Sequence, residues 1–242
     1  MTLQQFLDRR ANERNHQPRY REICGKCAQP GFSCYCQHLQ SFDPKIQFII
    51  LIHPIEVRRR VATGRMSHLM LENSQLISGH DYSNNPLVNQ LLVDPRRDCF
   101  LLYPGPDSLD VSNSEIAENL TQEKQLTIFV IDGTWATARK MLRLSANLRA
   151  LPRLSFPLTS PSRFRVRKQP KPHCLSTIEA IHQMLEFAGD HIGFSTENRT
   201  HDRLLYVFDQ MVERQLEFGE RSKANPELCR YFRARQRNKT IL

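Results

Sequence analysis

Three short apolar runs, each ending abruptly, govern what this chain can fold into. Ile46–Ile52 runs into His53-Pro54, Cys99–Tyr103 into Pro104-Gly105-Pro106, and Leu126–Ile131 into Asp132. A fourth run of this kind spans Leu154–Leu158. Strands that are apolar along their whole length are buried on both faces, as in parallel sheets covered by helices. Helical spacing lies between and after them. Val61–Leu71 carries Met66, Leu69 and Met70. Trp135–Leu144 sets Trp135, Ala138 and Leu142 opposite Arg139, Lys140 and Arg143. Ile178, Ile181, Leu185 and Ala188 follow Ser176, and Leu204–Phe218 is again amphipathic. Strands alternating with helices predict an α/β fold, a mostly parallel sheet flanked by helices. The 242 residues are enough to bury a full core, as one large domain or one domain with a small appendage.

In a parallel sheet, ligands bind outside the carboxyl ends of the strands. The loops at His53-Pro54, Pro104-Gly105-Pro106 and Asp132-Gly133-Thr134 therefore share one rim. Asp132 places a carboxylate there, Gly133 lets a ligand or a turn come close, and Thr134 can cap the following helix. Plain helix capping, with Trp135 as core, explains the same four residues. Neither a phosphate-loop nor a dinucleotide glycine pattern is present. Ser176-Thr177-Ile178-Glu179 has capping-box spacing. The free amides of such a helix start can also hold a carboxylate.

Four of the seven cysteines fall in the pattern Cys24-x2-Cys27-x6-Cys34-x-Cys36. Four thiolates suit a closed tetrahedral zinc site of the structural kind. A redox pair at Cys24 and Cys27 would leave the other two unexplained. Cys99 and Cys174 read as small core or near-site residues, and Cys229 lies toward the end of the chain. None of the nine histidines forms a pair with zinc-ligand spacing.

Lys and Arg number 34 against 25 Asp and Glu, a net charge of +9, which favours a polyanionic partner. Ser162–Lys168 alternates basic and apolar residues, so an extended segment would present Arg163, Arg165 and Arg167 on one face, with Lys168 beyond them. Arg58, Arg59, Arg60 and Arg65 form a second basic group beside the first rim loop. No apolar run is long enough to span a bilayer, and the start of the chain lacks a signal-peptide stretch, so a cytoplasmic protein is expected. Residues 1–22 read as a basic arm or short helix, 23–42 as a zinc knuckle, 43–218 as the catalytic domain and 219–242 as a basic tail.

Taken in order, these motifs resemble the DTW-domain family, in its form of bacterial tRNA-uridine aminocarboxypropyltransferases. The resemblance covers roughly residues 20–215. It rests on the cysteine pattern, His53-Pro-x-Glu56, Thr63-Gly64-Arg65, Leu102-Tyr-Pro-Gly105, Asp132-Gly-Thr-Trp135 leading into Ala138-Arg-Lys140, Ser162-Arg-Phe-Arg165 and Ser176-Thr-x-Glu179-Ala180. The chain departs from the family pattern at Ala62, where Asn is common, and at Phe164, where Tyr is frequent. The resemblance implies a fold related to the SPOUT class, with a knot possible. It also implies transfer of the 3-amino-3-carboxypropyl group of S-adenosylmethionine to N3 of a tRNA uridine in the variable loop, releasing 5′-methylthioadenosine. Asp132, Thr134 and Trp135 would be catalytic, with Asp132 a proton acceptor or an orienting carboxylate. Tyr103, Pro104, Gly105, Leu158, Thr159, Ser176 and Thr177 would touch the cofactor. Arg58, Arg65, Arg139, Lys140, Arg163, Arg165, Arg167 and Lys168 would touch RNA. Zinc on Cys24, Cys27, Cys34 and Cys36 would fold the knuckle without entering the chemistry. A monomer is expected, with tRNA and S-adenosylmethionine as partners and no membrane. A SPOUT-type methyltransferase and a non-enzymatic zinc-containing RNA-binding protein are the alternatives.

Overall fold

β1, Gln47–Ile52, is buried at every position, so it needs cover on both faces and neighbours on both edges. The computed structural model, which describes residues 23–59, 61–113, 124–158, 160–167 and 174–224, supplies both. β1 lies second in a six-stranded sheet of order β2-β1-β5-β3-β6-β4, in which every neighbouring pair is parallel. The other strands are β2 (Ser74–Ser78), β3 (Arg97–Leu102), β4 (Ser108–Asp110), β5 (Gln125–Asp132) and β6 (Arg153–Ser155). The helices are α1 (Pro54–Val57), α2 (Thr63–His68), α3 (Pro86–Val93), α4 (Trp135–Leu144), α5 (Ala146–Arg149), α6 (Thr177–Ala188) and α7 (Asp202–Ala224).

Strand alternation divides the core in two. Phe48, Ile50, Ile128 and Val130 face α6 and α7, where they meet Ile178, Ile181, Leu185, Leu204 and Phe208. Ile49, Leu51, Leu101 and Phe129 face the opposite way, onto Val88, Met141, Leu142 and Leu148. Each fully buried aliphatic or aromatic side chain contributes about 1.5–3 kcal/mol relative to exposure. The parity has a consequence for function. Asp132, two residues beyond Val130 on β5, inherits the face covered by α6.

The three long strands lie where their apolar runs predict, and α4 spans Trp135–Leu144 as expected. Three differences have physical causes. The fourth strand is Arg153–Ser155 rather than Leu154–Leu158, because its pairing with β3 and β4 ends at Leu154 and Ser155, and Phe156 and Leu158 beyond it line the cavity. β2, at one edge, was not anticipated: only Ile77 of its residues is fully buried, so it carries no apolar run. α7 continues to Ala224, past Phe218 and into the stretch read as a tail. The expected arm at residues 1–22 and the tail from 225 onward lie outside the described residues, as do Arg60, Thr159 and Lys168. No helix among the described residues is long and apolar enough to cross a membrane.

Candidate active site

The carboxyl ends of β1, β5, β3 and β6 lie side by side, and a cavity of about 230 Å3 opens against them. Leu102, Tyr103 and Pro104 line it from the end of β3, and Ser155, Phe156 and Leu158 from the end of β6. Thr134, Trp135 and Ala138 close it from α4, and Leu175, Ser176 and Thr177 from the start of α6. The Tyr103 and Trp135 rings stand 6.2 Å apart at 56°. The walls are chiefly apolar, with a few hydroxyls and Arg167 as polar points, the usual make-up of a small-molecule site.

Asp132 is not one of the lining residues. It is 4% exposed and sits behind the wall. Its Oδ1 accepts hydrogen bonds from Thr177 Oγ1 at 2.5 Å and from Thr63 Oγ1 at 3.3 Å. Both threonines line the cavity. Its Oδ2 is buried without a side-chain partner and lies against Gly64, where even a Cβ would approach to 2.7 Å. The Asp132 carbonyl accepts from the His53 amide at 2.9 Å, tying the ends of β1 and β5 together. Burial pushes the Asp132 carboxyl above the ordinary carboxylate range, and the nearby charge of Glu56 adds to this against the lowering effect of Thr177, Thr63 and Gly64.

That shift predicts a stability signature. Below the unfolded value of about 3.9, both states hold the proton. Above it the unfolded chain releases the proton while the folded chain keeps it, so stability falls as pH rises toward the folded pKa. The Tm of the wild type minus that of Asp132→Asn should therefore decrease from about pH 4 upward and level off once Asp132 ionises in the folded protein. A flat difference curve would contradict the raised pKa.

The Ser162–Arg167 loop is held by a buried acid. Glu179 accepts from the Ser176 amide (2.8 Å) in the capping box of α6, and also from Ser162 Oγ (2.8 Å) and the Arg163 amide (2.7 Å). The expectation of an extended segment with three arginines on one face is corrected here. Arg165 N donates to Arg163 O (2.8 Å) and Arg167 N to Phe164 O (3.2 Å), so the chain turns. The cause is Phe164, which buries its ring edge-on against Phe208 at 5.2 Å. Arg163 and Arg165 consequently reach Asp209 and Glu213 on α7, while Arg167 turns inward to Glu56 at 3.3 Å.

Comparison with known proteins places this chain in a family. The model of the DTW domain matches residues 21–216. The chain belongs to the DTW-domain family. A tRNA-uridine aminocarboxypropyltransferase 2 of Drosophila melanogaster is 30% identical over 175 residues, covering 69% of this chain and 67% of that protein. Proteins of the same name from Mus musculus and Macaca fascicularis are 23% and 22% identical over 211 residues, covering 86% of this chain and 68% of each. These relatives are animal proteins, whereas the sequence motifs pointed to the bacterial form. No solved structure gives a significant match.

Within this DTW domain the cavity gathers most of the residues expected from the sequence. Tyr103, Pro104, Leu158, Ser176, Thr177, Thr134 and Trp135 all line it. Gly105 does not; it packs beside Arg153 instead. Thr134 also caps α4, its hydroxyl accepting from the Thr137 amide at 3.1 Å, so the capping reading holds alongside the lining role. Of the expected RNA-binding residues, Arg58, Arg139, Lys140, Arg163 and Arg165 are exposed. Arg65 is engaged internally: its guanidinium donates to the carbonyls of Val57 and Cys27, tying the cysteine turn to α1. Thr63 and Glu56 belong to motifs quoted from the sequence, but their place beside Asp132 and Arg167 was not anticipated. A threonine followed by glycine before a helix carries no local signal of a distant carboxylate.

The four cysteines converge. Cys24 and Cys36 have their sulfurs 3.6 Å apart, as do Cys27 and Cys34, and all four sulfurs lie within 4.8 Å of one another. A disulfide needs about 2.05 Å, whereas a tetrahedron of Zn–S bonds of about 2.3 Å has edges of roughly 3.8 Å. The donor set therefore fits zinc. The amides of Cys27 and Lys26 hold the Cys24 thiol down at about 6, while burial pushes the Cys27 and Cys36 thiols up, so those two would become thiolates through the ion itself. The turn closes through Ala28 N to Cys24 O (2.9 Å) and Cys24 N to Gln29 O (2.8 Å). It then packs on α7, where Phe32 stacks on Phe218 at 4.7 Å.

Proposed function

We propose that this chain is a tRNA-uridine aminocarboxypropyltransferase that uses S-adenosylmethionine, with zinc held by Cys24, Cys27, Cys34 and Cys36. Membership of the DTW family and the names of its relatives support the activity. The observation that carries the mechanism is the placement of Thr63 and Thr177, whose hydroxyls line the cavity and donate to the buried Asp132 carboxylate.

The co-substrate occupies the cavity, and bond making between uridine N3 and its Cγ accompanies loss of the Cγ–S bond, leaving neutral methylthioadenosine. Tyr103 and Trp135 offer aromatic faces to a sulfonium or a planar base. The start of α6, where Ser176 and Thr177 line the cavity, offers a helix N-terminus to the amino acid carboxylate. The N3 proton must leave as N3 attacks. Thr177 Oγ accepts it from the cavity side and passes its own proton to Asp132 Oδ1 across the 2.5 Å hydrogen bond. A raised pKa makes Asp132 a better acceptor than an exposed Asp. Asp132 thus acts through Thr177, as an acceptor one hydroxyl removed from the substrate.

Exposed Arg58, Arg139, Lys140, Arg163 and Arg165 supply phosphate contacts for the tRNA. The chain divides into a knuckle at 23–42 and a catalytic domain at 43–218, with basic segments on either side, and works in the cytoplasm. Incubation with tRNA and S-adenosylmethionine should yield an aminocarboxypropyl-uridine by nucleoside mass spectrometry and equimolar methylthioadenosine. Accumulation of S-adenosylhomocysteine instead would make the protein a methyltransferase. Asp132→Asn and Thr177→Val should lose about 10²–10⁴-fold in kcat with tRNA affinity retained. A plain RNA-binding protein would give neither product.

A further inference from the structure

A second cluster of ligating side chains lies outside both the cavity and the cysteine turn. His182 and Glu186 stand one turn apart on α6, and His201 enters beside them just ahead of α7. One donor atom from each of the three residues lies within 4.8 Å of the other two. His201 is fully enclosed and His182 is 4% exposed. The two rings are 4.7 Å apart at 35°.

Each ring uses one nitrogen and leaves the other idle. His182 Nε2 pairs with Asp202 Oδ1 at 2.8 Å, and His201 Nε2 with Glu186 Oε2 at 2.5 Å. Both Nδ1 atoms are buried without any partner. An enclosed polar atom left unpaired costs about 1–3 kcal/mol, and two adjacent ones are uncommon in a settled core. At His182, one nitrogen bonded to the Asp202 carboxylate and the other bare is the arrangement found around metal-bound histidines, where the carboxylate fixes the tautomer; at His201 the 2.5 Å contact instead sets Nε2 and the Glu186 carboxylate side by side as two ligand atoms for one ion. Arg199 donates to both Glu186 oxygens at 2.8 Å and to Asp202, so two carboxylates face one guanidinium. With both imidazoles neutral the cluster carries net negative charge.

We infer that His182, His201 and Glu186 form a second metal site, for a first-row divalent cation of the zinc type. Two imidazoles and one carboxylate suit zinc with water in the fourth position. Asp202 stays outside the coordination shell and orients His182. A polar cavity reaches His182, Arg199 and Asp202 at one side of the cluster. The ion would clamp α6 to the start of α7. Because α6 begins at Thr177, the clamp would steady the helix that bounds the active site from its far end. This site stands independently of the transferase reading.

Cobalt titration of untagged, full-length protein carrying one zinc per chain, in the cysteine turn, tests it. One further equivalent of Co2+ should bind, with the visible bands of nitrogen and oxygen ligation and no sulfur-to-cobalt charge-transfer band. Cobalt entering the cysteine turn would announce itself by that sulfur band. The extra equivalent should vanish in His201→Gln and Glu186→Gln while zinc in the turn remains. Absence of the extra equivalent, a sulfur band on it, or its full retention in both variants overturns the site. If the variants fail to fold, the wild type decides alone. Bound Co2+ must then shift the ring-proton resonances of His182 and His201 before those of any other histidine, and shifts that begin elsewhere overturn the site.

Discussion

Gly64→Ala is expected to abolish aminocarboxypropyl transfer while leaving the fold and tRNA affinity largely intact. A Cβ on Gly64 would stand 2.7 Å from both Cγ and Oδ2 of Asp132 and 2.9 Å from its Cβ. Real carbon atoms do not approach so closely, so one side must move. Asp132 has little freedom, being enclosed and held by Thr177 at 2.5 Å. α2 is anchored by Met66 in the core and by Ser67 Oγ donating to Thr63 O at 2.9 Å. Either the carboxylate rotates and breaks its bond to Thr177, or the start of α2 withdraws Thr63 from the cavity. Both outcomes uncouple the hydroxyls from their acceptor, and a displacement of this size at a reacting centre costs about 10²-fold or more. Overpacking costs stability about 1–3 kcal/mol, a Tm loss of about 2–12 °C. Gly219→Ala is the control, since nothing lies within 4 Å of a Cβ there, and it should behave as the wild type. Single-turnover rates and tRNA affinity measured side by side decide the matter. A Gly64→Ala protein with wild-type kcat would remove the coupling between Asp132 and the cavity.

The largest stability effect should follow removal of the zinc proposed for the cysteine turn. Cys27→Ser, or stripping with a chelator, is expected to cost more than about 4 kcal/mol, a size reserved for losses such as a structural metal. The turn is not an isolated appendage. Cys27, Tyr35 and Phe42 belong to the same apolar cluster as Phe48 and Phe208, and Phe32 stacks on α7. Arg65 of α2 donates to the Cys27 carbonyl, so loosening the turn also frees the helix that carries Thr63 and Gly64. Thermal melts of metal-loaded and stripped protein, with zinc counted by mass spectrometry, provide the check. An unchanged Tm after the zinc has left would show that packing alone holds the turn.

The two effects separate what local pattern reveals from what it conceals. The cysteine turn was readable because four cysteines within thirteen residues have the spacing of a tetrahedral thiolate site. The three long strands were readable because burial on both faces demands apolar residues at nearly every position, whereas edge strand β2, with only Ile77 buried, left no such run. The lining of the cavity was readable because strand ends and helix starts gather on one rim of a parallel sheet. The arginines of Ser162–Lys168 were misread because period-two alternation is equally compatible with a turn once Phe164 has a core site to enter. His182, Glu186 and His201 escaped notice altogether. Two of them share a helix face at a spacing of four, which is common, and the third comes from a separate segment.

Asp132-Gly133-Thr134-Trp135 shows where the division falls. By itself the sequence determined that an acid follows a buried strand and precedes a helix, on the ligand rim of an α/β sheet. Parity along β5 even determined which face the carboxylate takes. Only the tertiary structure decided that Asp132 is walled off and meets the cavity through Thr63 and Thr177. Those contacts join residues 69 and 45 positions away from it, and they exist because α2 and α6 pack over the same strand end. Backbone periodicity is a local property and survives in the order of residues. The depth of a carboxylate and the identity of its donors depend on which distant helices cover it, and that is settled by packing alone.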